Sequence, residues 1–314
     1  MVKTELKEGF EGYISQLQTE NRYSTAKSYR DAWNAFVRFK EKEEIGYEEI
    51  TKESLRQYES YLTRRGCMRN TISTYMRRLR CIYNRAVEKG KASYIPHLFS
   101  GVFTGIESRR KRSLPIHELH RLMTVPVTET KLRHTQLAVC LMFQYGGMPF
   151  VDFVHLKSEN LRNNLLMYRR RKTGTSICIE IRQRAKQMQR ELSNDTSRTS
   201  IYMMPFLSGR KTGREAYMEY REVLQQFNRN LRILKRKAGI KSDVTSYSIR
   251  HSFANLLKEQ HIPIEMISEL LGHRSIRTTQ IYLRSFSLKE LTKATDSCFQ
   301  KVYLYKEKTG LLGR

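Results

Sequence analysis

The segment LLGHRSIRTTQIYLR, residues 270–284, contains a histidine and a tyrosine whose types and spacing could carry chemistry. His273 follows a Leu-Gly pair, and Tyr282 comes nine residues later. A phenol with a pKa of about 10 becomes a nucleophile only when neighbouring groups help to remove its proton and stabilise the developing charge. On residue type alone, a tyrosine in a helix is more often part of the core.

A second segment, TSYSIRHSFANLL at residues 245–257, is predicted to be a helix that begins after Thr245. Threonine is a favourable N-cap residue. Tyr247 and Arg250 are three positions apart, so they are neighbours on the helix surface. Arginine binds phosphate through a fork of two donors and keeps its charge, which makes Arg250 a suitable phosphate ligand.

The third segment, YRRRKTGT at residues 168–175, lies between two alternating apolar runs. These runs are residues 165–168 and the set Ile177, Ile179 and Ile181. Alternation with a period of two predicts strands, and Gly174 suits a tight turn because glycine takes positive φ easily. A charged turn is ordinary by itself, so Lys172 becomes a candidate only in the company of the other two segments.

These three segments resemble the signature boxes of the tyrosine recombinase (phage integrase) family, and the resemblance extends over nearly the whole chain. It implies that Tyr282 is a nucleophile that becomes joined to a DNA 3′ phosphate. It also implies that Arg250 and His273 stabilise the charge on that phosphate and that Lys172 protonates the departing 5′ oxygen. Since the phosphotyrosyl bond stores the energy of the broken linkage, we expect an enzyme with no cofactor and no metal. The sequence contains no P-loop or zinc spacing.

Tyr247 departs from the family pattern. Family members usually carry His-x-x-Arg-His, whereas this chain has tyrosine at the first of these positions, followed by Arg250 and His251. A phenol can donate a hydrogen bond to a phosphate oxygen, but it cannot shuttle a proton near neutral pH. Tyr247 is therefore kept as a catalytic candidate, and His251 is assigned to packing and positioning.

A second departure lies in GMPFVD, residues 147–152, where the family usually has Gly-Leu-Arg followed after two residues by an acid. Asp152 keeps the acid, but Pro149 takes the place of the arginine. This segment resembles the corresponding segment in recombinases of Bacteroides-type bacteria, including DNA invertases and mobile-element integrases. In these proteins the arginine is shifted or replaced. In relatives, the shifted arginine could stand at the position of Gly146, where this chain has glycine. The candidates for supplying the missing positive charge are Arg162, Arg169 or a residue elsewhere.

Two other functions stay open, and the missing arginine favours the first of them. One is a non-catalytic or weakly active DNA-binding regulator. The other is an activity like that of type IB topoisomerases, which would reseal the same strand. If the chain is a recombinase, the expected outcome is integration, excision or inversion of a DNA segment.

The composition favours a polyanionic partner. Lys and Arg number 58 against 31 Asp and Glu, a formal charge of +27 that makes a compact chain repel itself. No apolar run approaches the roughly 18 residues of a membrane span, and the start MVKTELKEGF does not resemble a signal peptide. The five cysteines are widely spaced, unlike a disulfide framework. We expect double-stranded DNA rather than a membrane as the partner, and a cytoplasmic location on the bacterial nucleoid.

The elements that must position these residues are mainly α with a small β-sheet. We predict a helical N-terminal core-binding domain at 1–95, a basic linker at 96–113 and a mixed α/β tyrosine recombinase catalytic domain at 114–286. A last helix and tail at 287–314 would start with a capping box, Ser287 to Glu290. By resemblance, four protomers assemble on DNA as a homotetramer, with this last segment docking on a neighbour.

The fourth predicted helix combines an apolar face with several arginines elsewhere on its surface. Each phosphate that such a face neutralises releases counterions and adds affinity. The predicted DNA contacts are Arg69, Arg77 and Arg80 on this helix and Arg110 and Lys111 in the linker. The plain alternatives are a solvated helix face and a linker that is charged because it is exposed.

Overall fold

The computed structural model describes residues 5–107, 113–194 and 200–283, together with the single residues 292, 295, 296 and 300. Within this part α-helices dominate, and three short strands form one antiparallel sheet. The chain divides into two units, Met1–Arg110 with Leu207–Leu224, and Lys111–Phe206 with Gln225–Arg314. The predicted fold class, mainly α with a small β-sheet, is confirmed.

Four of the described helices lie entirely in the first unit and pack their apolar stripes together. They are α1 (Glu5–Thr19), α2 (Tyr23–Lys40), α3 (Lys52–Arg64) and α4 (Arg69–Glu88). In the core, Phe10 packs against Trp33 with ring centroids 5.3 Å apart, and Phe36 meets Tyr58 edge-on at 5.0 Å. Aromatic rings bury large apolar areas, so these pairs contribute strongly to holding α1, α2 and α3 together.

The segment that follows α4 also contributes to this core. Leu98, Phe99 and Val102 are buried in it. The Ser73 hydroxyl of α4 donates to the Gly105 carbonyl oxygen at 2.6 Å, which fixes the chain along the helix. These residues lie beyond the sequence-based domain boundary at residue 95, and that boundary stays a prediction.

The second unit is built around a helix that is buried on every side. Its described helices are α5 (Ile116–Thr124), α6 (Thr130–Gln144), α7 (Phe150–Phe153), α8 (Gln183–Asn194), α9 (Gly213–Lys237), α10 (Ser246–Glu259), α11 (Ile264–Leu270) and α12 (Ile276–Tyr282). Residues 213–224 of α9 group with the first unit. Every residue of α6 from Thr135 to Met142 is buried, because α5, α8 and α10 pack around it.

The predicted hairpin is confirmed. Strands β1 (Leu161–Arg162), β2 (Leu165–Arg169) and β3 (Ser176–Glu180) pair in that order. Tyr168 lies opposite Ile177. The turn between β2 and β3 closes where the Gly174 amide donates to the Arg170 carbonyl oxygen at 2.7 Å, with Gly174 at φ +69°.

The helices that carry the second and first sequence segments are also found. Thr245 precedes α10, and its amide donates to the Ser248 hydroxyl oxygen at 3.1 Å. Apart from the single residues 292, 295, 296 and 300, the predicted last helix after Ser287 lies outside the described residues. No helix in the described part of the chain has the length and apolarity needed to cross a membrane.

Candidate active site

Arg250 is a buried cation in the middle of α10, with 1% of its surface exposed. Its Nη1 donates to the Gly147 carbonyl oxygen at 3.1 Å, and its Nη2 donates to the Leu271 carbonyl oxygen. Nη2 also lies 3.1 Å from Nε2 of His273. Three acceptors therefore hold the guanidinium group that the sequence segment TSYSIRHSFANLL predicted as a phosphate ligand.

The Gly147 carbonyl reaches Arg250 because the chain turns sharply after α6. Gly146 and Gly147 both have positive φ, +71° and +65°. A Cβ at Gly147 would lie 2.9 Å from the Cβ of Phe253 on α10, closer than side chains approach. Only glycine lets the loop backbone pack against α10 here, which places its carbonyl oxygen on Arg250.

His273 follows the end of α11 and lies between two hydrogen-bonding groups. Gly272 ends the helix with φ +61°, and Nδ1 of His273 lies 2.8 Å from Oγ1 of Thr279 on α12. Burial, followed by the positive charges of Arg250, Arg170 and Lys172, lowers the pKa of His273 to about 3. The imidazole is therefore neutral at physiological pH.

Arg170 is a second buried arginine that the sequence reasoning missed. It is 5% exposed, and its Nε donates to Oδ2 of Asp152 at 3.3 Å. Its Nη1 donates at 2.7 Å to the carbonyl oxygen of Leu271, the same atom that accepts from Arg250. Two guanidinium groups thus meet at one oxygen.

A signal for Arg170 does exist in the sequence. Leu166 and Tyr168 are the buried positions of β2, and Arg170 is the next residue with the same parity. Successive side chains of a strand alternate between its faces, so the alternation carries Arg170 to the buried face and Arg169 to the exposed one. In the structure, Arg169 is exposed and its Nε donates to the Gly174 carbonyl oxygen at 3.2 Å.

The other candidates are placed less centrally. Lys172 is exposed in the turn between β2 and β3, close enough for its charge to affect His273. Arg162 is exposed in β1. Tyr247 lies in the first turn of α10, and its ring packs against the ring of His251 with centroids 5.3 Å apart. Tyr282 is the last residue of α12, and its side chain lies outside what the structure describes.

Pro149 is buried and begins α7 with φ −65°. Its carbonyl oxygen accepts from the amides of Asp152 and Phe153, each at 3.0 Å, so it starts the turn that carries the acid. Gly146 is a poor position for a shifted arginine. Its φ of +71° disfavours any side chain, and a Cβ there would lie 3.2 Å from Cδ1 of Ile179.

The predicted DNA contacts of α4 have different environments. The guanidinium of Arg69 lies over the ring of Phe103, 4.4 Å from its centroid. Arg77 is half-buried and its Nε donates to the Ser73 carbonyl oxygen at 3.3 Å. Arg80 is exposed at the edge of a cavity of about 510 Å³. Two further predicted contacts lie outside the described residues: Arg110 and Lys111.

Two other arginines of α4 are engaged within the first unit. Arg78 lies over the ring of Tyr29, 4.8 Å from its centroid, and Arg85 over the ring of Tyr13 at 4.2 Å. The ring faces stabilise the two guanidinium charges, because each side chain lies over a ring and does not extend away from the helix. The basic surface of α4 is therefore smaller than its count of arginines indicates.

The part of the chain that the structure describes contains no group of three or more His, Cys, Asp or Glu side chains that could hold a metal ion.

Two family models match the chain. One, described as the phage integrase family, matches residues 112–288, and one for the phage integrase SAM-like domain matches residues 5–99. The chain belongs to the phage integrase family. The first match contains the candidate catalytic residues from Arg170 to Tyr282, and the second contains α1 to α4 with the arginines of α4.

Individual relatives agree with this integrase assignment. The tyrosine recombinase XerC of Rickettsia canadensis is 26% identical, over 95% of this chain and 99% of the relative. The tyrosine recombinase XerA of Pyrococcus furiosus is 32% identical over 59% of this chain and 61% of the relative. The integrase described here is thus a tyrosine-type site-specific recombinase.

Solved structures share the fold of this integrase. A lambda integrase dimer bound to a COC′ core site has a TM-score of 0.65 at 17% identity, covering 90% of this chain and 99% of that one. The Tn1549 transposon integrase in complex with transposon right end DNA has a TM-score of 0.63 at 13% identity, covering 95% and 99%. At these sequence identities, both comparisons show a shared fold alone.

The lowered pKa of His273 predicts a pH effect on the stability of this integrase. The folded-state pKa of about 3 lies below the unfolded value of about 6.5. Between these values the unfolded chain binds more protons, so the free energy of unfolding falls as pH falls. From pH 7.5 to pH 5, His273→Gln should lose less stability than the wild type, by on the order of 1 kcal/mol. Urea unfolding at the two pH values measures this, and equal losses in both proteins would contradict it.

Proposed function

We propose that this integrase cleaves and rejoins duplex DNA at specific sites through a 3′-phosphotyrosyl intermediate on Tyr282. Arg250, Arg170 and His273 would bind the scissile phosphate, and Lys172 would protonate the departing oxygen. Tyr247 would donate a further hydrogen bond to the phosphate. The outcome would be integration, excision or inversion of a DNA segment.

The observation that carries this proposal is the meeting of two buried guanidinium groups at the Leu271 carbonyl oxygen. Like charges held this close in a poorly solvated site repel each other. Asp152 offsets part of the charge on Arg170, with its Oδ2 3.3 Å from Nε. An anion that enters beside Arg250 would relieve the remaining repulsion. A phosphodiester has the charge and the acceptor geometry that suit arginine.

The chemical steps balance without a cofactor. The Tyr282 oxygen would bond to phosphorus as the phenol loses its proton to water, and the bond from phosphorus to the 5′ oxygen would break. Lys172 would give a proton to that oxygen. A 5′ hydroxyl of a second strand would then attack phosphorus and give its proton to Lys172. The tyrosine would leave and regain a proton from water. Charge on the non-bridging oxygens rises during each transfer, and preorganised donors stabilise it by several kcal/mol.

Arg170 would supply the charge that the family usually places at the position of Pro149. Its guanidinium is buried, donates to the same carbonyl oxygen as Arg250 and affects the pKa of His273. It also lies two residues before Lys172, in the same hairpin. A second buried arginine supplied by this hairpin favours an active enzyme over a non-catalytic regulator.

The wider interface with DNA would include the first unit. Arg69, Arg77 and Arg80 of α4 would contact phosphates, as would Arg110 and Lys111. One structural neighbour is a lambda integrase tetramer bound to a Holliday junction, with a TM-score of 0.63. We propose the same stoichiometry here, with residues 287–314 docking on a neighbouring protomer, and a location on the nucleoid.

Replacing Tyr282 by phenylalanine tests the nucleophile. Tyr282→Phe should abolish covalent adducts with a suicide duplex while DNA affinity stays within about twofold, because one hydroxyl contributes little to binding. The duplex would be selected from random sequences by binding to the wild type, and adducts would be counted on denaturing gels. Tyr94→Phe, which changes a tyrosine that is 76% exposed, is the control and should keep forming adducts. Adducts with Tyr282→Phe would disprove the assignment. A wild type that binds but never forms adducts would favour the regulator.

Replacing Arg170 by methionine tests the origin of the second positive charge. Arg170→Met should slow adduct formation roughly 100-fold, the scale for one preorganised donor, and change DNA affinity little. Arg169→Met, at the last residue of β2 and one position before Arg170, is the matched control. Arg170→Lys and thermal melting separate loss of charge from loss of folding, since lysine keeps the charge. A normal rate in Arg170→Met, or a loss confined to Arg169→Met, would refute the role of Arg170.

The salt dependence of binding tests the face of α4. On duplex DNA, the slope of log affinity against log salt changes by about 0.9 for each phosphate contact. Replacing both Arg77 and Arg80 by glutamine should make the slope shallower by up to about 1.8. Arg85→Gln is the control on the same helix, because Nη2 of Arg85 donates to Gln16 within the unit. An unchanged slope in the double variant would show that this face does not contact DNA phosphates.

A further inference from the structure

The imidazole of His273 is held at both nitrogens. Nε2 lies 3.1 Å from Nη2 of Arg250, and Nδ1 lies 2.8 Å from Oγ1 of Thr279. Thr279 is fully buried, with 0% of its surface exposed, and it belongs to the helix that ends at Tyr282. Its hydroxyl is therefore placed to act on the ring of His273 from the side opposite Arg250.

The contact with Arg250 determines which nitrogen carries the proton. A guanidinium group has donors only, so Nε2 must be the acceptor. A neutral imidazole has one N–H, which must then be at Nδ1 and must point to the oxygen of Thr279. The lowered pKa of His273 is consistent with a neutral ring. Without DNA, Thr279 thus accepts a hydrogen bond from the histidine.

Stabilising a phosphate requires the opposite arrangement. Nε2 is the nitrogen on the Arg250 side, so it is the one that a phosphate bound by Arg250 would reach. To donate to a phosphate oxygen, Nε2 must carry the proton, and Nδ1 must become an acceptor. The ring would lose one proton at Nδ1 and gain one at Nε2, with water as the carrier and no change in net charge.

A hydroxyl is suited to this exchange because it both accepts and donates. A backbone carbonyl could support only the first tautomer, and a backbone amide only the second. We propose that Thr279 is a positioning residue for His273, whose hydroxyl accepts from Nδ1 in the DNA-free enzyme and donates to Nδ1 when Nε2 turns to the scissile phosphate. The second half of this statement rests on the proposed function, and the first half does not.

The first experiment measures the tautomer by ¹⁵N spectroscopy of the full-length protein labelled at histidine. The His273 signal is assigned by its loss in His273→Gln. In the DNA-free wild type, Nδ1 should be protonated and Nε2 unprotonated between pH 6 and 8. A proton at Nε2 in this state would overturn the proposal, whether or not the protein cleaves DNA.

The second experiment follows the tautomer in an uncleaved complex. Tyr282→Phe bound to the selected duplex should show the proton at Nε2. The double variant Tyr282→Phe with Thr279→Val should keep it at Nδ1, because valine has a similar shape but cannot donate. An identical tautomer in the two complexes, or no change on binding DNA, would overturn the proposal.

The third experiment is kinetic. Thr279→Val should slow adduct formation roughly tenfold, the scale of one hydrogen bond, with unchanged DNA affinity, and Thr279→Ser should recover most of the rate. Thr278→Val changes an exposed threonine of the same helix and should cleave normally. A normal rate in Thr279→Val would refute the role of Thr279 and leave the proposed function intact. A wild type that never forms adducts would refute the proposed function, while the DNA-free spectrum would still test the tautomer.

Discussion

The carbonyl oxygen of Leu271 is the atom on which the arrangement of the site depends, since Arg170 and Arg250 both donate to it. These residues come from the β2–β3 hairpin and from α10, and the oxygen comes from the end of α11. The next residue must be glycine. Gly272 has φ +61°, and a Cβ there would lie 2.6 Å from Cδ1 of Ile177. The hairpin, α10 and the turn that carries His273 are therefore positioned by one shared acceptor.

This sharing also explains how buried cations are tolerated without DNA. Removing a guanidinium from water is costly unless acceptors replace the water. Arg250 has the carbonyl oxygens of Gly147 and Leu271 and Nε2 of His273 as acceptors. These neutral acceptors bind Nη1 and Nη2 but do not cancel the charge. In the proposed function, a phosphate would exchange with these acceptors and would not have to order a loose side chain.

Pro149 illustrates how this chain differs from the usual pattern of its family. The proline starts the short helix α7, and Asp152 at its centre accepts from Nε of Arg170 and, at 2.9 Å, from the amide of Arg171. The acid therefore holds the start of the turn that carries Lys172. A charge proposed to act on the phosphate comes from the hairpin instead of the loop after α6. In this arrangement the second arginine and the lysine belong to one hairpin.

The sequence by itself determined many of the elements and the family. Helical periodicity predicted α10 and its start at Thr245, alternation predicted the hairpin, and the spacing of His273 and Tyr282 indicated the family. Local patterns suffice for these features because they depend on residues a few positions apart. The sequence could also have placed Arg170 on the buried face of β2.

Only the tertiary structure decided what Arg170 contacts. The Leu271 oxygen to which it donates is 101 residues away along the chain, and the Gly147 oxygen that accepts from Arg250 is 103 residues away. The structure likewise decided that Arg78 and Arg85 of α4 lie over tyrosine rings. Helical periodicity indicates only that arginines of α4 lie away from its apolar face. Contacts between distant segments are chosen by packing of the whole unit, and no local spacing encodes which carbonyl or ring a long side chain will reach.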